Sequence, residues 1–251
     1  MRRFLLMLLT FLFAAASALA APVTLAADLT GEICYPEGST AENAAYVYRY
    51  QYPEAAVADE VGQMINDFYA YMVSDALDFG APIAAESMEN SDVQGYTNIT
   101  SQVTCNNEDF FSVKVITESF QGAEIGQIWS GHTFALTGDK AGSAIALPFL
   151  LGLMDAGESD TWTQDRATSK ANTFIWDLVW NIIEEQRADG TVAYYDDVTR
   201  ESLEGLFYPE QDFYLDENGN PVFYLQAGDF AATSEGVITF PFSMDELLDE
   251  L

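Results

Sequence analysis

Three strand-length segments separated by short turns constrain the fold of this chain more than any other feature. They cover residues 93–104, 110–119 and 124–136, and each is rich in β-branched and aromatic residues. The separators, 106–109 (Asn-Asn-Glu-Asp) and Gln121-Gly122, have the composition of tight turns. Because consecutive strands joined by short turns pair with each other, the sequence predicts an antiparallel meander.

Two other segments have helical periodicity. Apolar residues at three- and four-residue steps predict an amphipathic helix over 56–77, ended by Gly80 and Pro82. A second helix is predicted to begin after Ser159 or Asp160 and to end at Gly190. It has a broad apolar face formed by Ala171, Phe174, Ile175, Leu178, Val179, Ile182 and Ile183. Trp176 and Trp180 lie one turn apart on its flank, where packing against the core is the favoured role.

The remaining elements are shorter. Alternating tyrosines over 46–52 predict a strand ended by Pro53. A hairpin around Asn218-Gly219 places Phe213, Leu215, Phe223 and Leu225 in the core. Asp197 is the predicted cap of a short helix, 237–242 a further strand, and Ser243 the cap of a terminal helix. Because strands and helices are grouped, the predicted class is α+β, with antiparallel sheets packed on two main helices in two intimately associated halves.

The first twenty residues have the pattern of a signal peptide. Arg2 and Arg3 precede the apolar stretch 4–16, and Ala18-Leu19-Ala20 supplies the small residues that a signal peptidase requires. An uncleaved membrane anchor is the open alternative. The pattern predicts an extracytoplasmic protein, secreted or periplasmic, that begins at Ala21.

The two cysteines, Cys34 and Cys105, form an even pair in a chain predicted to be exported. Such a pair predicts a disulfide, because oxidising compartments favour paired thiols. The loop it would close contributes roughly 4 kcal/mol in the chain-entropy model.

Acidic residues dominate the charge of the chain. There are 40 Asp and Glu against 9 Lys and Arg, which gives a formal net charge of −31. The acids are dispersed, so they predict an acidic folded surface. Such a surface repels nucleic acid and anionic membranes and attracts cationic proteins or metal ions. Solubility in a salty or crowded exterior is the alternative explanation.

No catalytic or metal-binding constellation emerges from the sequence. Ser130 lies two residues from His132, the one histidine, but lacks the glycine-rich elbow of a nucleophile. The loop 216–221 has oxygen ligands at calcium-loop spacing, but glycine is at its fourth position and proline at its sixth. The sequence therefore predicts no enzyme, no cofactor and no metal. Candidate platforms for a glycan are Trp129, Trp162, Tyr194 and Tyr195.

The C-terminal part resembles a known extracellular domain. Residues 213–225 and 235–242 resemble the closing hairpin and strand of the RsiV-type family, "FYLT-DDG-LVFYF" and "G-x-x-x-F-x-I-P-Y". Residues 133–140 resemble its "T-F-D-L-x-T-G-K" strand and turn. The part before residue 120 resembles the companion domain of PdaC-type proteins. The resemblance implies two domains, 21–122 and 123–251. It departs from the family at 228–233, where the "Y-E-I-A-P-Y" run is absent.

Family members of RsiV type sense lysozyme outside the cell. The resemblance therefore implies an exported, non-enzymatic binding protein whose acidic surface receives a cationic partner, a lysozyme-like hydrolase first among them. Because the sequence starts at the leader, the intracellular anti-sigma helix of that family is not expected. The alternative is a cell-envelope accessory module that binds peptidoglycan or another carbohydrate. A hydrolase using Ser130 or paired carboxylates is a third hypothesis.

Overall fold

A computed structural model describes residues 21–57, 59–155 and 158–251. The predicted signal peptide, 1–20, lies outside the described residues. The class is α+β, as predicted, with one five-stranded sheet, one three-stranded sheet and six α-helices in the described ranges. Among these residues, no helix combines the length and the apolar character needed to cross a bilayer.

The first sheet has the strand order β1-β2-β3-β4-β5. Its strands are β1 Leu29–Tyr35, β2 Tyr46–Tyr52, β3 Gly95–Asn106, β4 Phe110–Phe120 and β5 Ile125–Ala135. The last three form the predicted antiparallel meander. The side-chain oxygen of Asn107 shapes the first turn, because it accepts the N–H groups of Asp109 at 2.9 Å and Phe110 at 2.8 Å.

The sheet is mixed, which corrects the expectation of a purely antiparallel one. β2 pairs parallel with β3. Between them run α1 Glu60–Asp75, a π-helical turn Ala76–Gly80 and α2 Ala81–Met88. Gly80 and Pro82 do not end the helical segment, because proline lies in the first turn of α2, where its missing N–H is not needed.

The first core fills the space between α1 and one face of this sheet. Ile65 and Tyr69 of α1 are fully buried there, against Phe111 and Phe134. The ring of Tyr69 stacks on Tyr52 with a centroid distance of 4.9 Å. The tyrosine-rich strand β2 is therefore mainly a packing surface for α1.

The predicted disulfide between Cys34 and Cys105 is contradicted by the structure, in which both thiols are free. Cys34 lies in β1, a strand that the sequence analysis missed, and its lateral neighbours are Val47 and then Tyr96. Cys105 lies nine residues beyond Tyr96 along β3, a separation of about 30 Å. A disulfide needs Cα atoms within roughly 7 Å. An even number of cysteines in a chain predicted to be exported does not reveal the distance between them.

The second half contains α3 Leu147–Leu150, α4 Thr161–Asp189, α5 Arg200–Leu206, β6 Phe213–Leu215, β7 Pro221–Leu225, β8 Ile238–Pro241 and α6 Met244–Glu250. The long helix α4 follows the prediction. Asp160 caps it by accepting the N–H of Thr163 at 3.0 Å, and Gly190 ends it with a left-handed φ of 74°. Trp176 is a packing residue, since its indole N–H donates to the carbonyl of Phe207 at 3.0 Å.

The three-stranded antiparallel sheet β6-β7-β8 contains the predicted hairpin. Its four expected core residues, Phe213, Leu215, Phe223 and Leu225, are all buried. Ser243 caps α6, as expected. The cap of α5 is Thr199 and not Asp197, because Thr199 and Ser202 exchange reciprocal side-chain and backbone hydrogen bonds.

The two sheets meet where β6 lies on the outer face of β4 and β5. The Leu215 N–H donates to Ser112 Oγ at 2.9 Å. Gly131 lies directly against the backbone of Phe213, with no room for a side chain. β5, which the predicted boundary at 122/123 assigns to the C-terminal domain, is a strand of the first sheet.

Candidate binding site

A polar cleft opens where the β6–β7 turn approaches the outer face of the first sheet. Its volume is about 470 Å³. Strand β3 supplies one wall, Lys114 of β4 the floor, and the turn after β6 the opposite rim. The lining residues are Gln102, Val103, Thr104, Lys114, Tyr214, Asp216, Glu217 and Asn218. Hydrogen-bond donors, hydrogen-bond acceptors and an aromatic ring thus line the same cleft.

Aromatic rings hold Lys114 in place beside this cleft. Its ammonium nitrogen lies 4.3 Å from the ring centroid of Trp129 and 5.4 Å from that of Tyr214. Burial lowers the pKa of Lys114. Trp129 is itself fixed, because Gln226 accepts its N–H at 2.9 Å and donates to its carbonyl at 2.8 Å. Trp129, a predicted glycan platform, is therefore half-buried beneath Lys114 and supports that lysine from beside the cleft.

Three pairs of adjacent acids lie on the β6–β7 turn beside the cleft and on the two segments that contact this turn, and we name them the acidic tip. They are Glu108 and Asp109, Asp216 and Glu217, and Asp245 and Glu246. The β6–β7 turn touches the β3–β4 turn, since an added Cβ at Gly219 would meet the Asn107 side chain at 3.3 Å. It also touches α6, because the Met244 N–H donates to Asn220 Oδ1 at 3.0 Å.

The tip has the chemistry of a cation acceptor. Five of its six side chains are exposed, and the sixth, Asp216, uses one oxygen to accept the N–H groups of Asn218 and Asn220 within its own turn. Across the described ranges, no cluster of three or more His, Cys, Asp or Glu residues is arranged to hold a metal ion. Exposed carboxylates of this kind can accept a lysine or arginine side chain through charge and hydrogen bonds.

The other predicted platform residues are not brought together with Trp129. Trp162 is 69% exposed in the first turn of α4, whereas Tyr194 and Tyr195 follow the end of that helix. The length of α4 separates them by about 40 Å. Tyr194 is held by Gln186, which accepts its hydroxyl proton. The four aromatic residues therefore do not form one glycan platform.

His132 is an inward-facing residue of the first core. Its ring centroid lies 5.1 Å from that of Phe68 and 5.8 Å from that of Tyr69. Burial lowers its pKa to about 4, so the imidazole is neutral at pH 7. His132 therefore packs against aromatic residues of α1.

Asp212 is a residue that the sequence analysis missed. It precedes β6, and its carboxylate accepts the Tyr208 N–H at 2.8 Å. Burial, with a smaller repulsion from Glu210 and Asp229, raises the pKa of this carboxyl to about 6. Burial also raises the pKa of Asp229. No local motif marks such a residue, because its environment is assembled from segments that meet only in the folded chain.

This shift predicts a pH-dependent stability. Because the folded-state pKa of Asp212 lies above its ordinary value of 3.8, the folded protein binds this proton more tightly than the unfolded chain does. The free energy of unfolding should therefore fall as the pH rises from about 4 through about 6. Asp212→Asn should reduce that fall and, after allowance for solvent screening, stabilise the protein at pH 7 by about 1–2 kcal/mol.

Urea unfolding between pH 4 and pH 7 measures this effect. The matched control is Asp92→Asn, which removes one carboxylate from an exposed loop residue. The interpretation is wrong if Asp212→Asn and Asp92→Asn keep the same pH profile as the wild-type protein.

Comparison with known proteins places part of the chain in a family. Residues 160–245 match the family described as a protein of unknown function, DUF3298. The match runs from the cap of α4 into the first turn of α6, so it includes the hairpin and three of the six acids of the tip, Asp216, Glu217 and Asp245. No curated protein matched the chain.

Two crystal structures of DUF3298 proteins share the fold over nearly the whole length. The one from Bacteroides fragilis NCTC 9343 has 16% identity and a TM-score of 0.52, and the likeness covers 90% of this chain and 93% of that one. The one from Pseudomonas aeruginosa PAO1 has 10% identity and a TM-score of 0.53, covering 91% and 94%. Residues 160–245 are therefore a DUF3298 domain, within a chain whose fold resembles these structures.

Proposed function

We propose that this protein is an exported, non-enzymatic binding protein of the RsiV-like kind that receives a cationic protein, such as a lysozyme-like hydrolase, on its acidic tip. The resemblance of residues 213–225 and 235–242 to RsiV-type domains supports the proposal. These residues lie within the DUF3298 match and include the β6–β7 turn that carries Asp216 and Glu217.

The observation that carries the proposal is the excess of uncompensated acid at the tip. Within the described ranges, the ion pairs involve Arg49 with Glu32, and Arg200 with Asp177 and Glu204. None involves an acid of the tip. Unpaired carboxylates project a negative potential that raises the encounter rate with a basic protein and makes binding sensitive to salt.

The cleft beside the tip supports a specific contact in addition to long-range attraction. Asp216 and Glu217 form its rim, so an arginine bound at the rim would pair with carboxylates, while Lys114 already occupies the floor beside the Tyr214 ring. An arginine paired in this way can anchor an interface, whereas exposed charges alone contribute little once salt is present.

Calorimetric titration of the chain from Ala21 onward with a basic lysozyme tests this proposal. We expect one-to-one binding that weakens between low and physiological salt but persists at the latter. Binding confined to low salt would indicate non-specific attraction, and absence of heat in both buffers would refute the lysozyme assignment.

A carbohydrate-binding role is the second candidate, supported by a separate surface. The exposed Trp162 stands one turn before Arg166, beside a groove of about 810 Å³ that Lys170 and Phe174 also line. That volume suits a small ligand. Sedimentation of the protein with insoluble peptidoglycan, unchanged by salt and lost in Trp162→Ala, would favour this role over lysozyme binding.

A further inference from the structure

The outer edge of β5 is covered along only part of its length. In an antiparallel pair, alternate residues direct their backbone groups away from the partner strand. Trp129 is such a residue, since its N–H and carbonyl both bind the side-chain amide of Gln226. The same alternation directs the backbone groups of Ile125, Gln127, Gly131, Thr133 and Ala135 outward.

The C-terminal part of this edge is covered by the protein itself. The Ala135 N–H donates to the Ser143 carbonyl at 3.2 Å, and its carbonyl accepts the Gly142 N–H at 2.8 Å. The Thr133 carbonyl accepts the Ile145 N–H at 2.7 Å. At Gly131 the backbone of Phe213 lies against the outer face of the strand. The chain thus supplies hydrogen-bond partners to this edge at Trp129, Thr133 and Ala135.

The edge is open at Ile125 and Gln127. No backbone or side-chain group in the described parts of the chain bonds to their outward N–H and carbonyl groups. The flanking side chains are apolar and exposed, 60% for Ile125 and 58% for Ile128. Residues 125–131 contain no proline and no charge. Natural sheets usually protect their free edges with proline or charged residues. Because this edge has neither, it is available for pairing.

The other sheet edges carry a form of protection. β1 bears the charged Glu32, and β8 ends in Pro241. β6 is capped where its Leu215 N–H meets Ser112. An uncharged, apolar and unpaired edge is therefore a specific feature of the first half of β5 and not a general property of this fold.

We propose that an extended, cationic segment of another protein adds to residues 125–128 as a new strand. Backbone pairing supplies the contact, and Ile125 and Ile128 each pack against side chains of the incoming strand. Charge selects the occupant. Glu124 precedes the open edge and Glu118 lies opposite Gln127, so a second copy of this chain would bring like charges together.

This surface is independent of the proposed lysozyme contact. The acidic tip adjoins the end of the sheet where Ala135 pairs with Phe110, whereas the open edge begins at the other end of β5. The two ends are about 33 Å apart, given ten residues of extended strand. Loss of one interaction therefore leaves the other measurable.

Titration of the 15N-labelled protein with an acetylated and amidated peptide, Lys-Thr-Val-Thr-Val-Lys, tests the proposal. At millimolar peptide we expect amide shifts concentrated at 125–129. The same peptide N-methylated at its central residues cannot donate backbone hydrogen bonds, and should bind at least about tenfold more weakly.

Two variants locate the contact on the protein. Gln127→Pro removes an outward N–H that has no partner within the chain, so the edge should tolerate it while peptide affinity falls about tenfold. Ile83→Lys is the control, because Ile83 is 67% exposed on α2 and should leave affinity unchanged. Equal binding of the N-methylated peptide, absence of shifts at 125–129, or a dimer formed through this edge in sedimentation would each overturn the proposal.

Discussion

Gly131→Ala is expected to destabilise the folded protein by at least about 3 kcal/mol. A methyl group at this position would overlap the carbonyl oxygen of Phe213, a backbone atom. Relief of that overlap requires β6 to move, but β6 is fixed by its bond to Ser112 and by the burial of Phe213 and Leu215. Denaturant unfolding at constant pH measures the loss.

Gly126→Ala is the matched control in the same strand. A Cβ there would meet the Ser119 hydroxyl oxygen at 3.6 Å, an ordinary contact, and Gly126 is exposed. Its effect should lie within about 0.5 kcal/mol. Equal stability of the two variants would mean that β5 and β6 do not approach each other as closely as described.

Because β6 packs directly on β5, the two halves are better described as one structural unit than as separate modules. Backbone lies on backbone at Gly131, and Gln226 reaches from the second half to complete the edge of β5. The DUF3298 structures resemble the chain across both halves, and not only over the matched segment 160–245. A truncation at residue 122 would separate β4 from β5 and would remove the Ser112 hydroxyl from the Leu215 N–H.

Sequence patterns were sufficient where a local rule determines the structure. The meander, α4 with its Asp160 cap and Gly190 end, and the β6–β7 hairpin were all predicted. Each depends on residues close together in the chain: turn residues between alternating strands, or a capping side chain beside an apolar period. The burial of Phe213 and Phe223 followed from the same alternation.

These local rules do not predict which distant segments of the chain pair with each other. β1 was missed because Gly31 and Glu32 interrupt its apolar alternation, and it gains stability only from β2. The parallel pairing of β2 with β3 depends on how α1 and α2 cross the sheet. The predicted disulfide failed for the same reason, since sequence shows the number of cysteines and not the distance between Cys34 and Cys105.

The acidic tip was not predicted as a site, although the composition showed the excess of acidic residues. Glu108, Asp216 and Asp245 are far apart in the chain and meet only because the β6–β7 turn packs between the β3–β4 turn and α6. Net charge led to the hypothesis of a cationic partner. The fold was needed to indicate where on the surface the charges concentrate.

Reversal of charge at the tip should reduce affinity for a basic lysozyme about a hundredfold or more at physiological salt. The double variant Glu108→Lys and Glu217→Lys changes two exposed side chains from adjacent turns. Loss of favourable pairs and new repulsion at the centre of an interface together cost about 3 kcal/mol or more. Calorimetry at two salt concentrations measures the change.

The effect of net charge on affinity must be distinguished from the effect of where the charges lie. Two acids at α2 provide the control. Glu86→Lys with Glu89→Lys alters two exposed acids and gives the same formal net charge, −31 + 4 = −27. These residues adjoin the opposite end of β3 from the tip. If the field of the whole protein drives binding, the two double variants lose affinity equally; if the tip is the contact, the α2 variant loses mainly association rate, by a small factor, and retains the complex lifetime.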